Sequence, residues 1–283
     1  MYAPPPTLAR RVSRLGSRCA ALSFVGWLGI VFGMWSFENF LVYQPTAYQS
    51  GSPYWQPREL TYEDVEIAST DGAQLHGWFA PVESPRAVLL LLHGNGGNIS
   101  GLADELRILQ RKMGVAALAV DYRGYGKSTG APSEQGILDD ARAARAWLAQ
   151  RTGVRKQDVV LWGFSMGGGV AVDLAAEEGA RGLVLQSTFT SLPDAAAEHY
   201  PWLPVRWLMR NRLDSASKIA RYRGPLLQSH GTADAIVPIH LGRQLHALAN
   251  DPKRFVEIPD GDHNDLPDEL FFTALDEFIE SLP

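Results

Sequence analysis

One cysteine in 283 residues, Cys19, leaves no partner for an internal disulfide and no basis for a cysteine-built zinc cluster. The seven histidines are scattered without an H-E-x-x-H pair, so no metal signature is present and no metal or cofactor is expected. Positive charge is scarce too. The net charge is −5, and because residues 1–37 hold four arginines and no acid, the rest of the chain carries −9. A nucleic-acid partner is therefore not expected. Gly126-Lys127-Ser128 imitates the end of a nucleotide-binding P-loop, but Asp121 stands where the first glycine is required. Internal repeats and low-complexity linkers are missing as well. What remains, 46% hydrophobic and 20% charged residues, describes a globular chain long enough for one large domain and an appendage.

The appendage is the N-terminus. Cys19–Phe37 is a run of 19 residues without a charge. As a helix it would extend about 28 Å, close to the ~30 Å hydrocarbon core of a bilayer. Arg10, Arg11, Arg14 and Arg18 precede it, and only Glu38 follows before Arg58. No small-x-small cleavage site follows Phe37, which favours a retained anchor over a cleaved signal peptide. Gly26, Gly29 and Gly33 suit a membrane helix better than a soluble one. The division expected is a basic tail over 1–18, a transmembrane anchor over 19–37 and a catalytic domain over 38–283. The positive-inside rule puts that domain on the extracytoplasmic side of a single-pass membrane protein.

From Thr61 onward, strand-like and helix-like segments alternate. Thr61–Ala68 and Ala73–Ala80 predict an antiparallel hairpin. Arg86–Leu92, Val115–Val120, Asp158–Trp162, Gly182–Gln186, Pro225–Ser229 and Arg254–Ile258 predict further strands. Helices are expected over Ser100–Lys112, Glu134–Arg151, Leu241–Ala249 and Glu269–Ser281. Such alternation implies an α/β fold, a mostly parallel, doubly wound sheet of about eight strands with helices on both faces. Ligands in such sheets sit at the carboxyl ends of the strands.

Gly163-Phe164-Ser165-Met166-Gly167 falls at one of those ends, between a strand and the helix-forming stretch Val170–Glu178. The pattern G-x-S-x-G in a strand–turn–helix setting presents a serine on a turn so tight that glycines must flank it. An alcohol is a weak nucleophile at neutral pH and needs a base and an orienting carboxylate. His263 in Gly261-Asp262-His263-Asn264 is the candidate base, and Asp234, just beyond the strand Pro225–Ser229, is the candidate acid. Asp260, Asp262 and Asp265 compete for that place, but lie too near His263 in sequence to reach its ring readily. The order Ser…Asp…His is that of α/β-hydrolases. The N–H of Met166, next after the serine, and that of Asn95 in His93-Gly94-Asn95-Gly96-Gly97-Asn98 are expected to form an oxyanion hole. His93 is expected to be a structural hydrogen-bonder; His76, His199, His230, His240 and His246 are expected at the surface or in caps. Asp121–Ser128 is expected to shape the pocket rim. The segment between Gln186 and Pro225 is too short for a large lid, so the site is expected to be shallow and suited to short or medium acyl chains. There Tyr200, Pro201, Trp202, Trp207, Leu208 and Met209 either line an acyl pocket or pack on the core.

With these motifs in order, the chain resembles the α/β-hydrolase superfamily and, more narrowly, the Bem46-like group that includes α/β-hydrolase domain-containing proteins 13 and 17. The resemblance is carried by Leu92-His93-Gly94-Asn95, Asp121-Tyr122-Arg123-Gly124-Tyr125-Gly126-Lys127-Ser128 and Gly163-Phe164-Ser165-Met166-Gly167-Gly168. Ser187-Thr188-Phe189-Thr190-Ser191, His230-Gly231-Thr232-Ala233-Asp234 and Gly261-Asp262-His263-Asn264 complete it, and it runs from about Asn39 to the C-terminus. It implies a serine hydrolase with the triad Ser165, Asp234 and His263, and its members commonly carry an N-terminal membrane segment. Two features depart from the group. Asp262 stands where a small residue often precedes the histidine, and the cysteine cluster of the depalmitoylating relatives is reduced to Cys19. The expected substrate is a small-molecule acyl ester. Thioesters or short peptides would use the same residues, and a non-catalytic binding module on the same fold is the reading from another class.

Overall fold

The computed structural model describes residues 8–265 and 268–283, with side chains from residue 17 onward. Eight strands form its main sheet: β1 (Glu63–Ala68), β2 (Gln74–Ala80), β3 (Ala87–Leu92), β4 (Val115–Val120), β5 (Val159–Phe164), β6 (Gly182–Gln186), β7 (Leu226–Gly231) and β8 (Lys253–Ile258). Their spatial order is β8-β7-β6-β5-β3-β4-β2-β1. β2 runs antiparallel to both neighbours, and every other pair is parallel. The helices are α1 (Leu8–Ser36), α2 (Glu38–Val42), α3 (Ala103–Arg111), α4 (Glu134–Thr152), α5 (Met166–Glu178), α6 (Leu192–His199), α7 (Val205–Leu208), α8 (Ile239–Leu248) and α9 (Glu269–Ser281).

The central strands read as unbroken apolar runs because both faces of the sheet are covered. Val88, Leu90 and Leu92 of β3 join Leu118 and Val120 of β4 in a core shared with α4, α5 and α8. Leu89 and Leu91 join Ala117 and Ala119 in a second core against α3 and α9. From β3 the chain passes through α3 to β4 on one side, then through α4 to β5 on the other. The carboxyl ends of β3 and β5 therefore lie side by side where the winding reverses, the usual place for a ligand in such sheets.

Helix α1 already begins at Leu8, and its stretch Ser17–Ser36 is long and apolar enough to cross a membrane, with none of it buried in the protein. The expected tail over 1–18 falls partly outside the described residues, as do the side chains of Arg10, Arg11 and Arg14. Glu38, just beyond this stretch, is only 4% exposed. Its carboxylate accepts from the Arg210 and Asn211 N–H groups at 2.9 and 2.7 Å and from Asn211 Nδ2 at 2.9 Å. Arg210 Nη2 donates to the Trp35 carbonyl at 2.9 Å, and Tyr43 donates to Asn211 Oδ1 at 2.7 Å. Gln44–Pro45 then pairs in parallel with Gly96–Gly97, next to Asn95. The N-terminal helix is thus stapled to the segment after α7 and to the loop after β3.

Removing the Glu38 carboxylate would leave the Asn211 N–H buried, and the Arg210 N–H part-buried, without an acceptor. We predict that Glu38→Ala costs about 2–4 kcal/mol of stability, read by denaturant unfolding of the full chain in detergent. A change below about 0.5 kcal/mol would contradict the staple.

Candidate active site

β5 ends at Phe164 and α5 begins at Met166, so a single residue turns the chain. That residue is Ser165, at φ 51° and ψ −116°. A positive φ is rare for a residue with a side chain, and holding it costs on the order of 1–3 kcal/mol. The surroundings enforce it. A Cβ on Gly163 would lie 2.2 Å from the Gly167 carbonyl oxygen, and one on Gly167 would lie 2.0 Å from that of Leu92. Ser165 N–H donates to the Gln186 carbonyl at 2.9 Å, and the Thr188 hydroxyl donates to the Ser165 carbonyl at 2.8 Å.

Three loops converge on this turn. His263 Nε2 lies 3.0 Å from Ser165 Oγ, and His263 Nδ1 lies 2.8 Å from Asp234 Oδ2. The other carboxylate oxygen of Asp234 accepts from the N–H groups of Ile236 and Val237 at 3.0 and 2.7 Å. Burial alone would raise the pKa of Asp234, but hydrogen bonds from His230 and His263 outweigh it and hold the carboxyl well below the usual carboxylate range. A carboxyl depressed in this way gives stability above its ordinary range and loses it only as the pH falls through the depressed value. Asp234 therefore stays ionised throughout the weakly acidic range. Chemically, the array can take a proton from the serine while keeping the imidazole in one orientation.

The loop after β3 closes the other side. Gly94 packs on the turn so closely that a Cβ there would sit 3.5 Å from Ser165 Cβ. Asn95 is fixed through its carbonyl, which accepts from Gln44 N–H at 3.0 Å and Tyr125 hydroxyl at 2.8 Å, and through Nδ2, which donates to Val42. Among the hydrogen bonds of the described residues, the Asn95 and Met166 N–H groups have no acceptor. Two N–H groups without an acceptor, one next after Ser165 and one next after the Gly94 that packs on its turn, are donors of the kind an oxyanion requires. No group of three or more His, Cys, Asp or Glu side chains among the described residues could hold a metal.

Comparison with known proteins identifies the family and the fold. Residues 83–215 match the family described as serine aminopeptidase, S33. Protein Rv2307c of Mycobacterium tuberculosis is 39% identical over 255 residues, covering 88% of this chain and 90% of its own. The α/β-hydrolase domain-containing protein WAV2 of Arabidopsis thaliana is 33% identical over 86% of this chain and 87% of its own, and protein bem46 of Schizosaccharomyces pombe is 30% identical over 96% and 93%. The chain belongs to the Bem46-like α/β-hydrolases. Its fold is likewise that of the Pyrococcus furiosus esterase Pf2001, with a TM-score of 0.68 and 20% identity over 85% of this chain and 99% of that one.

Within this Bem46-like hydrolase, several sequence expectations need revision. Ser165 is only 6% exposed, with Gly94 packed on its turn and the Phe164 ring 5.2 Å from that of His263. His230 and His76 are buried rather than superficial. His230 Nε2 donates to the Val237 carbonyl at 2.7 Å and lies 3.1 Å from Asp234 Oδ2, so it braces the acid from behind. The only sequence signal for that was its place four residues before Asp234. In Asp121–Ser128, Lys127 is exposed, but Asp121 and Arg123 are buried in polar contacts rather than set on a pocket rim: Arg123 pairs with Asp140 at 2.7 Å, and Asp121 Oδ1 accepts from Ile99 N–H at 2.8 Å. Asp262 binds the N–H groups of Ala235 and His263 at 3.0 and 2.8 Å, tying the acid loop to the base loop. Of the six residues expected at an acyl pocket, Tyr200, Leu208 and Met209 line a cavity, whereas Trp202 and Trp207 are exposed.

The close approach of Gly167 to Leu92 makes a direct test. We predict that Gly167→Ala lowers stability by at least about 3 kcal/mol in denaturant unfolding, because neither backbone can yield. A loss under about 1 kcal/mol would mean that the turn is looser than its geometry.

Proposed function

We propose that the protein is a membrane-anchored serine hydrolase that cleaves carboxylic esters through an acyl-enzyme on Ser165. The observation that carries this reading is the continuous hydrogen-bonded array from Ser165 Oγ through His263 to Asp234 at a strained turn. In the proposed reaction His263 Nε2 takes the serine proton as Ser165 Oγ attacks the acyl carbonyl carbon. The oxyanion is held by the Asn95 and Met166 N–H groups. The tetrahedral adduct collapses with loss of the alkoxide, which receives the proton from His263. Water, deprotonated by His263, then attacks the acyl-enzyme and frees Ser165. Asp234 keeps Nδ1 protonated and stabilises the imidazolium. Esters are proposed ahead of peptides because an alcohol leaves more readily than an amine.

The anchor is proposed to be the apolar stretch of α1, with the hydrolase domain on the extracytoplasmic side. Its support is the unburied helix, the three arginines that precede the stretch and Arg18 at its start.

Ser165→Ala is expected to lower ester turnover by roughly 10⁴-fold while the melting temperature stays within a few degrees. Retention of more than about a tenth of the wild-type rate would sink the assignment. For the anchor, the protein should resist alkaline extraction from membranes, and a reporter active only in the cytoplasm should stay silent when fused after Pro283. A strong reporter signal would reverse the orientation.

A further inference from the structure

A cavity of about 230 Å³ lies between the end of α1 and the α6–α7 segment. Its walls are mostly apolar, with Glu38 and Gln44 the polar residues among them. Val31, Met34 and Trp35 come from the stretch long enough to span a membrane, Leu41 from α2, and Tyr200 and Met209 from the segment across from them. The expectation of a shallow, short-chain site rested on the lack of a lid domain, but here the missing wall is supplied by the N-terminal helix itself.

Two further observations point to an occupant. The cavity also touches Val42 and Gln44, and these residues bond to Asn95, the proposed oxyanion donor: Asn95 Nδ2 donates to the Val42 carbonyl at 3.1 Å and Gln44 N–H donates to the Asn95 carbonyl at 3.0 Å. The cavity wall and the proposed oxyanion loop are thus one hydrogen-bonded unit. Around the cavity, large apolar side chains face outward on the elements that line it. Phe37 and Phe40 are 67% and 78% exposed on one side, and Trp202 and Trp207 are 54% and 88% exposed on the other. A soluble surface seldom leaves so many aromatics uncovered, whereas aromatic side chains at that level of a membrane protein sit in the bilayer interface.

We infer that this cavity holds the acyl chain of the substrate, and that the substrate is a fatty-acyl ester of a bilayer lipid drawn in beside the N-terminal helix. The inference rests on the serine-hydrolase reading and adds the substrate class. A space of that size takes a segment of an acyl chain rather than the whole of a long one. The rest of a long chain would stay in the membrane. Each methylene buried strengthens binding roughly fourfold, so chain length should be read out in kcat/KM.

The test uses the full chain in mixed micelles with p-nitrophenyl butyrate and p-nitrophenyl dodecanoate. Filling the cavity by Met34→Trp or Val31→Trp should lower the dodecanoate-to-butyrate ratio of kcat/KM at least tenfold. A ratio within twofold of wild type, in a variant with an unchanged melting temperature, would overturn the inference. A second measurement needs no substitution. A long-chain alkyl fluorophosphonate with a diazirine near the chain end is incubated with wild-type protein; Ser165 Oγ attacks phosphorus, fluoride leaves, and the serine proton passes to His263. After irradiation, crosslinks within residues 31–44 or 200–209 support the cavity, and crosslinks confined to other segments overturn it. If Ser165 is not labelled at all, the serine-hydrolase reading itself has failed, which separates the two failures.

Discussion

A methyl group added to Gly167 would lie 2.0 Å from the Leu92 carbonyl oxygen, so the start of α5 and the end of β3 meet at backbone contact. That approach is the constraint on which the site depends. It places Ser165 between two strand ends and forces its backbone to a positive φ that ordinary packing would not sustain. The loop carrying Asn95 packs on the same turn through Gly94. A looser turn would let Ser165 relax to a common backbone conformation and carry its oxygen away from His263. The strain is offset elsewhere: both faces of β3 and β5 are covered by apolar side chains, which is where the free energy to hold one unfavourable residue comes from.

The polar half of the site is arranged so that each charge has a fixed partner. Asp234 receives two N–H groups on one oxygen and the imidazole of His263 on the other, with His230 behind it. Such saturation keeps the carboxyl ionised in a buried place where burial alone would favour its neutral form. Asp262 and Asp265 have other work. Asp262 binds Ala235 and His263 N–H groups, and Asp265 accepts from Asp262 N–H at 2.8 Å. The acids nearest to His263 in sequence therefore shape its loop, and the distant one meets its ring. Loop geometry decides this, because a side chain one or two residues away in a tight turn engages backbone before it can reach round to the imidazole.

The sheet was legible because its strands are short apolar runs spaced by helices, and the serine turn was legible because glycine at fixed offsets is a steric demand. What could not be read were contacts between segments far apart in the chain. Nothing local to Glu38 says that it will be buried against Arg210 and Asn211. His230 looked like a surface histidine because its burial comes from α8, where a Cβ on Gly242 would sit 2.3 Å from its ring. Asp121–Ser128 looked like a rim because turns rich in Gly and Ser are usually exposed; Arg123 reverses that by drawing Asp71 and Asp140 onto itself. Short polar motifs reveal their type but not their depth.

The N-terminal helix changes how the rest of the molecule is understood. A tether would need only length and apolarity, and its contacts with the domain would be incidental. Here the junction is specified: Glu38 accepts from two backbone N–H groups, Arg210 reaches the Trp35 carbonyl and lies over the Trp35 ring at 4.9 Å, and Gln44–Pro45 adds a short parallel pairing to the loop of Asn95. The Arg210 side chain is half exposed, so its ion pair with Glu38 adds little net stability, and the better-supported use of such contacts is to fix one arrangement among several. A fixed arrangement matters only if the helix and the domain must meet in register. The cavity between them is where that register is expressed, since Val31, Met34 and Trp35 on one side and Tyr200 and Met209 on the other form its walls only when helix and domain are docked together.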